Sequence, residues 1–209
     1  MQAQNFEPPA KVREIKSAMV KLSTPNEGPI FWLRDSNDLY RKLIFESNRL
    51  EQGFEIYDAF NFFVTAWHLY HDWKKSDDPK CQSRTKRDWN KLPMQMKIVL
   101  GVVRDIVNGS KHFRLDEKAA KKRIVDEVHS GMESNWYSYF FHEDLPGVTV
   151  DEQWYFSVRV LRTFVMEYFK WVFDANTSHM NFPPSLLEAI DYCNIANRPA
   201  GQPPILWGQ

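Results

Sequence analysis

Two short segments of the chain concentrate groups that bind phosphate or move protons. In Val103-Arg104-Asp105-Ile106-Val107-Asn108-Gly109-Ser110-Lys111-His112-Phe113, the residues Arg104, Asn108 and His112 recur at i, i+4 and i+8. On a helix they drift by only about 40° per step, so a guanidinium, an amide and an imidazole share one face with the Lys111 ammonium beside them. Arg104 and Lys111 suit an oxyanion, and an imidazole changes charge in the range acid-base catalysis needs. Gly109-Ser110 weakens the last turn and turns His112 toward a different azimuth. Equally, polar residues opposite an apolar stripe read as the wetted face of a helix.

The second segment is Ala66-Trp67-His68-Leu69-Tyr70-His71-Asp72-Trp73. His68 and Asp72 stand one turn apart, so the carboxylate can hold one imidazole nitrogen and fix its tautomer. His71 lies nearer the apolar side. Two histidines at i and i+3 with an aspartate lack a third ligand motif nearby, so neither a metal nor another cofactor is expected. The competing reading is a buried polar network with Trp67 and Trp73 as core.

Other chemistries have no motif behind them. The chain has no Gly-x-Gly-x-x-Gly, no Walker-type loop, no Gly-x-Ser-x-Gly and no His-Glu-x-x-His. Cys81 and Cys193 are far apart and outside any Cys/His cluster, which excludes a disulfide framework and a structural zinc site.

Positioning these groups requires helices. The apolar spacing predicts helices over 36–52, 55–75, 94–111 and 153–174, with Ser36 or Asn37 capping the first. Ile56, Phe60, Phe63, Val64 and Trp67 are the expected inner face of the second, with Asn61, Thr65, His68 and Asp72 as its polar stripe. Ile98, Val99, Val102, Val103, Ile106 and Val107 point inward on the third. The fourth is apolar nearly all round, apart from a stripe of Arg159, Thr163 and Lys170. Ser185–Cys193 forms a further short helix. Runs at Arg123–Val128, Trp136–Phe141 and Val148–Val150, divided by Ser130-Gly131 and Pro146-Gly147, predict a β hairpin between Ala120 and Val150.

The expected fold is mainly α, a four-to-five-helix bundle with a small antiparallel β insertion. An N-terminal arm takes residues 1–30, the bundle 31–195 with its insertion at about 120–150, and an extended Pro-rich tail 196–209.

The 209 residues carry 27 basic and 27 acidic side chains, but unevenly. Between Lys74 and Arg123 stand 15 basic against 6 acidic residues, an excess of nine that the rest of the chain reverses. Such a block concentrates RNA or another polyanion, with salt-sensitive affinity, unless it is a solvated surface met by acidic neighbours. With aromatics at 15% the chain has ample material for a core. No run approaches the roughly 20 apolar residues of a membrane helix, and the start lacks a secretion signal, so a cytoplasmic protein without a membrane partner is expected.

The Ala-Trp-His-Leu…Asp-Trp and Asp-Ile-Val-Asn-Gly-Ser-Lys-His-Phe pair resembles a set of small bacterial helical proteins. More distantly, an Arg, a polar residue and a following His near the end of a bundle helix is similar to the HEPN superfamily, with seven residues between Arg104 and His112, a wider interval than usual there. That resemblance implies a metal-independent endoribonuclease of a bacterial defence or toxin-antitoxin system. Arg104 and His112 would be catalytic at a homodimer interface, and Asp105 would be the polar residue after the arginine. Asn108, Lys111, His68, His71 and Asp72 are the binding residues expected around them. His112→Ala is then expected to abolish RNA cleavage at nearly unchanged stability. The alternatives are a noncatalytic nucleic-acid- or protein-binding assembly component, with a cognate protein partner, and an antitoxin-like or small-ligand-sensing bundle.

Overall fold

The first helix starts where it is expected, but its cap lies one residue before Ser36. Asp35 stands in extended backbone and its carboxylate accepts from the Asp38 N–H at 2.9 Å, which satisfies one of the unpaired amides of the first turn. Asp is a better acceptor there than Ser36, which is buried. This helix, α1, runs Ser36–Gln52 and stops at Gly53.

The structure, a computed structural model, describes residues 33–73, 84–111, 123–129, 146–174 and 181–196. The expected arm over 1–30, residues 74–83 and 112–122 of the basic block with His112 among them, the Trp136–Phe141 run and residues 197–209 of the tail lie outside the described residues. All the elements below belong to one compact unit, Asp35–Gln209.

After α1 come α2 (Ile56–His71), α3 (Met94–Lys111), β1 (Val125–His129), β2 (Gly147–Val150), β3 (Trp154–Ser157), α4 (Val158–Phe173) and α5 (Pro184–Asp191). The fold is mainly helical with a small three-stranded antiparallel sheet in the order β1-β2-β3. Two 3₁₀ turns, Arg84–Arg87 and Trp89–Lys91, precede α3.

Two expectations need correction. The inner face of α2 is Ala59, Phe62, Phe63, Ala66, Leu69 and Tyr70, while Ile56 is exposed. Ile56 opens the helix ahead of its packed length, and α2 packs against α1, α3 and α4, so its buried arc is wider than one stripe. Thr65, assigned to the polar stripe, is also buried, and its hydroxyl accepts from the Lys42 ammonium at 2.5 Å. The second correction concerns residues 153–157, expected as helix. Trp154–Ser157 is a strand, and α4 starts at Val158 behind an N-cap Ser157 whose hydroxyl accepts from the Val160 N–H. Asp151 and Glu152 both adopt positive φ, at 50° and 53°, the conformation of a primed hairpin turn. The Gln153 N–H closes that turn on the Val150 carbonyl.

The sheet lies at one end of the bundle. β2 pairs Val148 with Phe156 and Val150 with Trp154, and all four of its residues are buried. The outer edge of β3 is covered because Tyr155 N–H donates to Cys193 O and Ile195 N–H to Gln153 O. The core between the helices is built of Leu43, Phe62, Val99, Val103, Leu161, Phe164, Val165 and Phe169. Arg162 on α4 reaches Ser47 and Glu51 near the end of α1, which places that end and the start of α2 on the sheet side. Trp89 meets Tyr70 near the end of α2, and α3 begins five residues later, so α2 and α3 run antiparallel.

Candidate functional site

The last turn of α2 gathers three of the expected residues. His68 Nδ1 bonds Asp72 Oδ2, and His71 Nδ1 lies 2.7 Å from Asp72 Oδ1. One carboxylate therefore holds two imidazoles, one from the preceding turn and one from its sequence neighbour. Partial burial, the largest single influence, raises the Asp72 carboxyl, but the hydrogen bonds and charges of His71 and His68 outweigh it and hold the group below its usual value. An ionised carboxylate only accepts, so both rings donate through Nδ1 and turn Nε2 toward other partners. The rings are 40% and 41% exposed. Trp67 stacks on the His71 ring with centroids 5.2 Å apart and planes 15° apart, which fixes a second degree of freedom of that imidazole.

The backbone beneath this cluster is held by two residues of the basic block, which was expected either to gather a polyanion or to lie solvated at the surface. Arg87, only 1% exposed, donates from Nη1 to Leu69 O at 3.0 Å and from Nη2 to Trp73 O at 3.2 Å, straddling His71 and Asp72. Lys86, equally buried, does the same for α4, with Nζ 2.6 Å from Trp171 O and 3.2 Å from Asp174 O, and 5.0 Å from the Trp171 ring centre. Cations at these two carbonyl ends complement both helix dipoles. Burial lowers the Lys86 ammonium, with Asp174 opposing. Tyr168 donates its hydroxyl to Lys86 O at 3.2 Å, and burial raises both Tyr168 and Tyr70. Part of the basic block is therefore internal structure. No local signal marks these two cations, since Asp88 follows them directly and their acceptors are carbonyls distant along the chain.

The α3 segment is at the other end. Arg104 donates from Nε to Asp105 Oδ1 at 2.9 Å, and its Nη2 lies 2.8 Å from the same oxygen. Asp105 Oδ2 accepts from the Ile124 and Val125 amides at 2.6 and 3.3 Å, and its side chain is 6% exposed. Asp105 thus ties α3 to the start of β1 and neutralises Arg104 while doing so. The Ile124 side chain packs over Gly101, where a Cβ would meet its Cδ1 at 2.6 Å. Asn108 sits half-buried further along α3, Lys111 is its last residue, and His112 lies outside the described residues. α4, 16 residues or about 24 Å long, spans from the sheet to the Lys86 end, so Arg104 and the His68-Asp72-His71 cluster are at opposite ends and do not form one site.

Among the described residues no group of three or more His, Cys, Asp or Glu converges as a metal site, and no helix is long and apolar enough to cross a membrane. No family model, curated protein or solved structure matches the chain.

Proposed function

We propose that the protein is directed to RNA and cleaves it without a metal, with His68 and His71 as the acid-base pair and Asp72 as the group that orients them. The observation that carries this reading is the single carboxylate bonded to both Nδ1 atoms. Strand cleavage needs one imidazole to take the proton of a ribose 2′-OH. The 2′-oxygen then bonds phosphorus, the bond to the 5′-oxygen breaks, and the second imidazole, as its cation, gives that oxygen a proton. The products are a 2′,3′-cyclic phosphate and a 5′-OH end. Lys74 and Lys75 follow the cluster in sequence and supply charge for the phosphate backbone.

This moves the chemistry away from Arg104 and His112. The Arg104–Asp105 pair favours the second reading for that segment alone, a structural clamp within a noncatalytic binding surface. Incubating the full chain with total RNA, with and without EDTA, tests the proposal. Fragments ending in cyclic phosphate are expected in both, and are expected to vanish in His68→Ala and His71→Ala. Intact RNA with the wild-type chain contradicts catalysis, and salt-sensitive RNA retention would then favour the binding component.

A further inference from the structure

A hollow of about 300 Å³ opens between the end of α1 and the start of α4, lined by Leu50, Glu51, Phe54, Val158, Arg159 and Arg162. Its charges are placed against the usual rule. The first turn of a helix favours acidic side chains, yet α4 has none there and carries Arg159 instead, with Arg162 one turn on. Two cations at i and i+3 also repel each other.

The two arginines differ in what they already hold. Nη1 of Arg162 donates to Ser47 O and Ser47 Oγ, each at 3.1 Å, and lies 2.7 Å from Glu51 Oε1. These contacts fix the plane of a guanidinium that is 14% exposed, and no described residue engages its other nitrogens. Arg159 is exposed; its carbonyl accepts from the Thr163 hydroxyl at 3.1 Å, and its guanidinium has no hydrogen-bond or ion-pair partner among the described residues. Glu51 offsets one of the two cations, so the hollow keeps one positive charge. Its remaining walls, Leu50, Phe54 and Val158, are apolar.

We propose that this hollow binds a small monoanionic organic carboxylate bearing a compact apolar group. One negative charge neutralises the residual cation, the planar carboxylate matches the guanidinium fork, and the volume lies at the small end of ligand pockets. The apolar part lies against Phe54, Leu50 and Val158. The site stands apart from the His68-Asp72-His71 cluster and does not depend on RNA cleavage.

Benzoate and its neutral analogue benzamide test the assignment, titrated into the isotope-labelled full chain while amide resonances are followed. Saturable benzoate shifts confined to residues 50–54 and 158–162 are expected, with benzamide at least about tenfold weaker because the charge-assisted bonds are lost. Arg159→Gln is expected to weaken benzoate by about tenfold while leaving the thermal midpoint in place, since the side chain is exposed. Equal binding of benzamide, shifts that do not saturate, or full benzoate affinity in Arg159→Gln would overturn the proposal.

Discussion

The Lys86 end and the sheet end of the bundle use the same kind of residue for different purposes. At the sheet end Asp105 follows Arg104 on α3, and the start of β1 offers two backbone amides, so the carboxylate is consumed in joining helix to sheet. At the other end Asp72 follows His71, no strand among the described residues bonds it, and its partners are two imidazoles of its own helix that remain half exposed. An acidic residue beside a basic one carries no function in itself. What decides is whether an adjacent element presents unpaired backbone groups.

Breaking the internal supports is expected to have the largest effects. Arg87→Ala removes two bonds to carbonyls from a fully buried position and leaves a cavity, and is expected to lower unfolding free energy by about 4 kcal/mol, read from urea denaturation. Asp105→Ala leaves the Ile124 and Val125 amides without their acceptor and takes the Asp105 carboxylate from Arg104. A loss of about 3 kcal/mol is expected, and a loss below about 0.5 kcal/mol would place Asp105 with the surface residues instead.

The smallest effect sharpens the contrast by pH. Burial alone would raise Asp72, yet the bonds and charges of His71 and His68 hold its carboxyl below the ordinary range. The stability it contributes is therefore complete above the ordinary aspartate range and is lost as the pH falls through the lowered value. Wild type and Asp72→Asn should differ slightly near neutrality and converge in strong acid. Because Asp72 is half exposed the difference is small, and a gap that widened toward acid would contradict the bonding pattern.

Much of this architecture is legible in the sequence where a local pattern decides the outcome. α1 and α3 fall where apolar spacing puts them, and the i, i+4 relation of His68 and Asp72 is enough to foresee their bond. β3 was hidden because its turn uses Asp151-Glu152 rather than an Asn-Gly signal, so Trp154–Ser157 merges with the apolar run of α4. The inward turn of Lys86 and Arg87 could not be read from their polar surroundings, since their acceptors are carbonyls 14 to 88 residues away along the chain. Arg162 was overlooked for a similar reason, as its partners are on α1.

The division of labour between the two ends is tested most directly by a crossed pair of substitutions, Asp72→Asn and Arg104→Gln, each measured for RNA cleavage and for thermal midpoint. Asp72→Asn is expected to reduce cleavage by about a hundredfold, with the midpoint nearly unchanged, because the imidazoles lose their orienting carboxylate. Arg104→Gln is expected to keep cleavage and lower the midpoint by several degrees, about 4 °C per kcal/mol of lost pairing. The reverse result, cleavage abolished by Arg104→Gln at an unchanged midpoint and untouched by Asp72→Asn, would contradict the account.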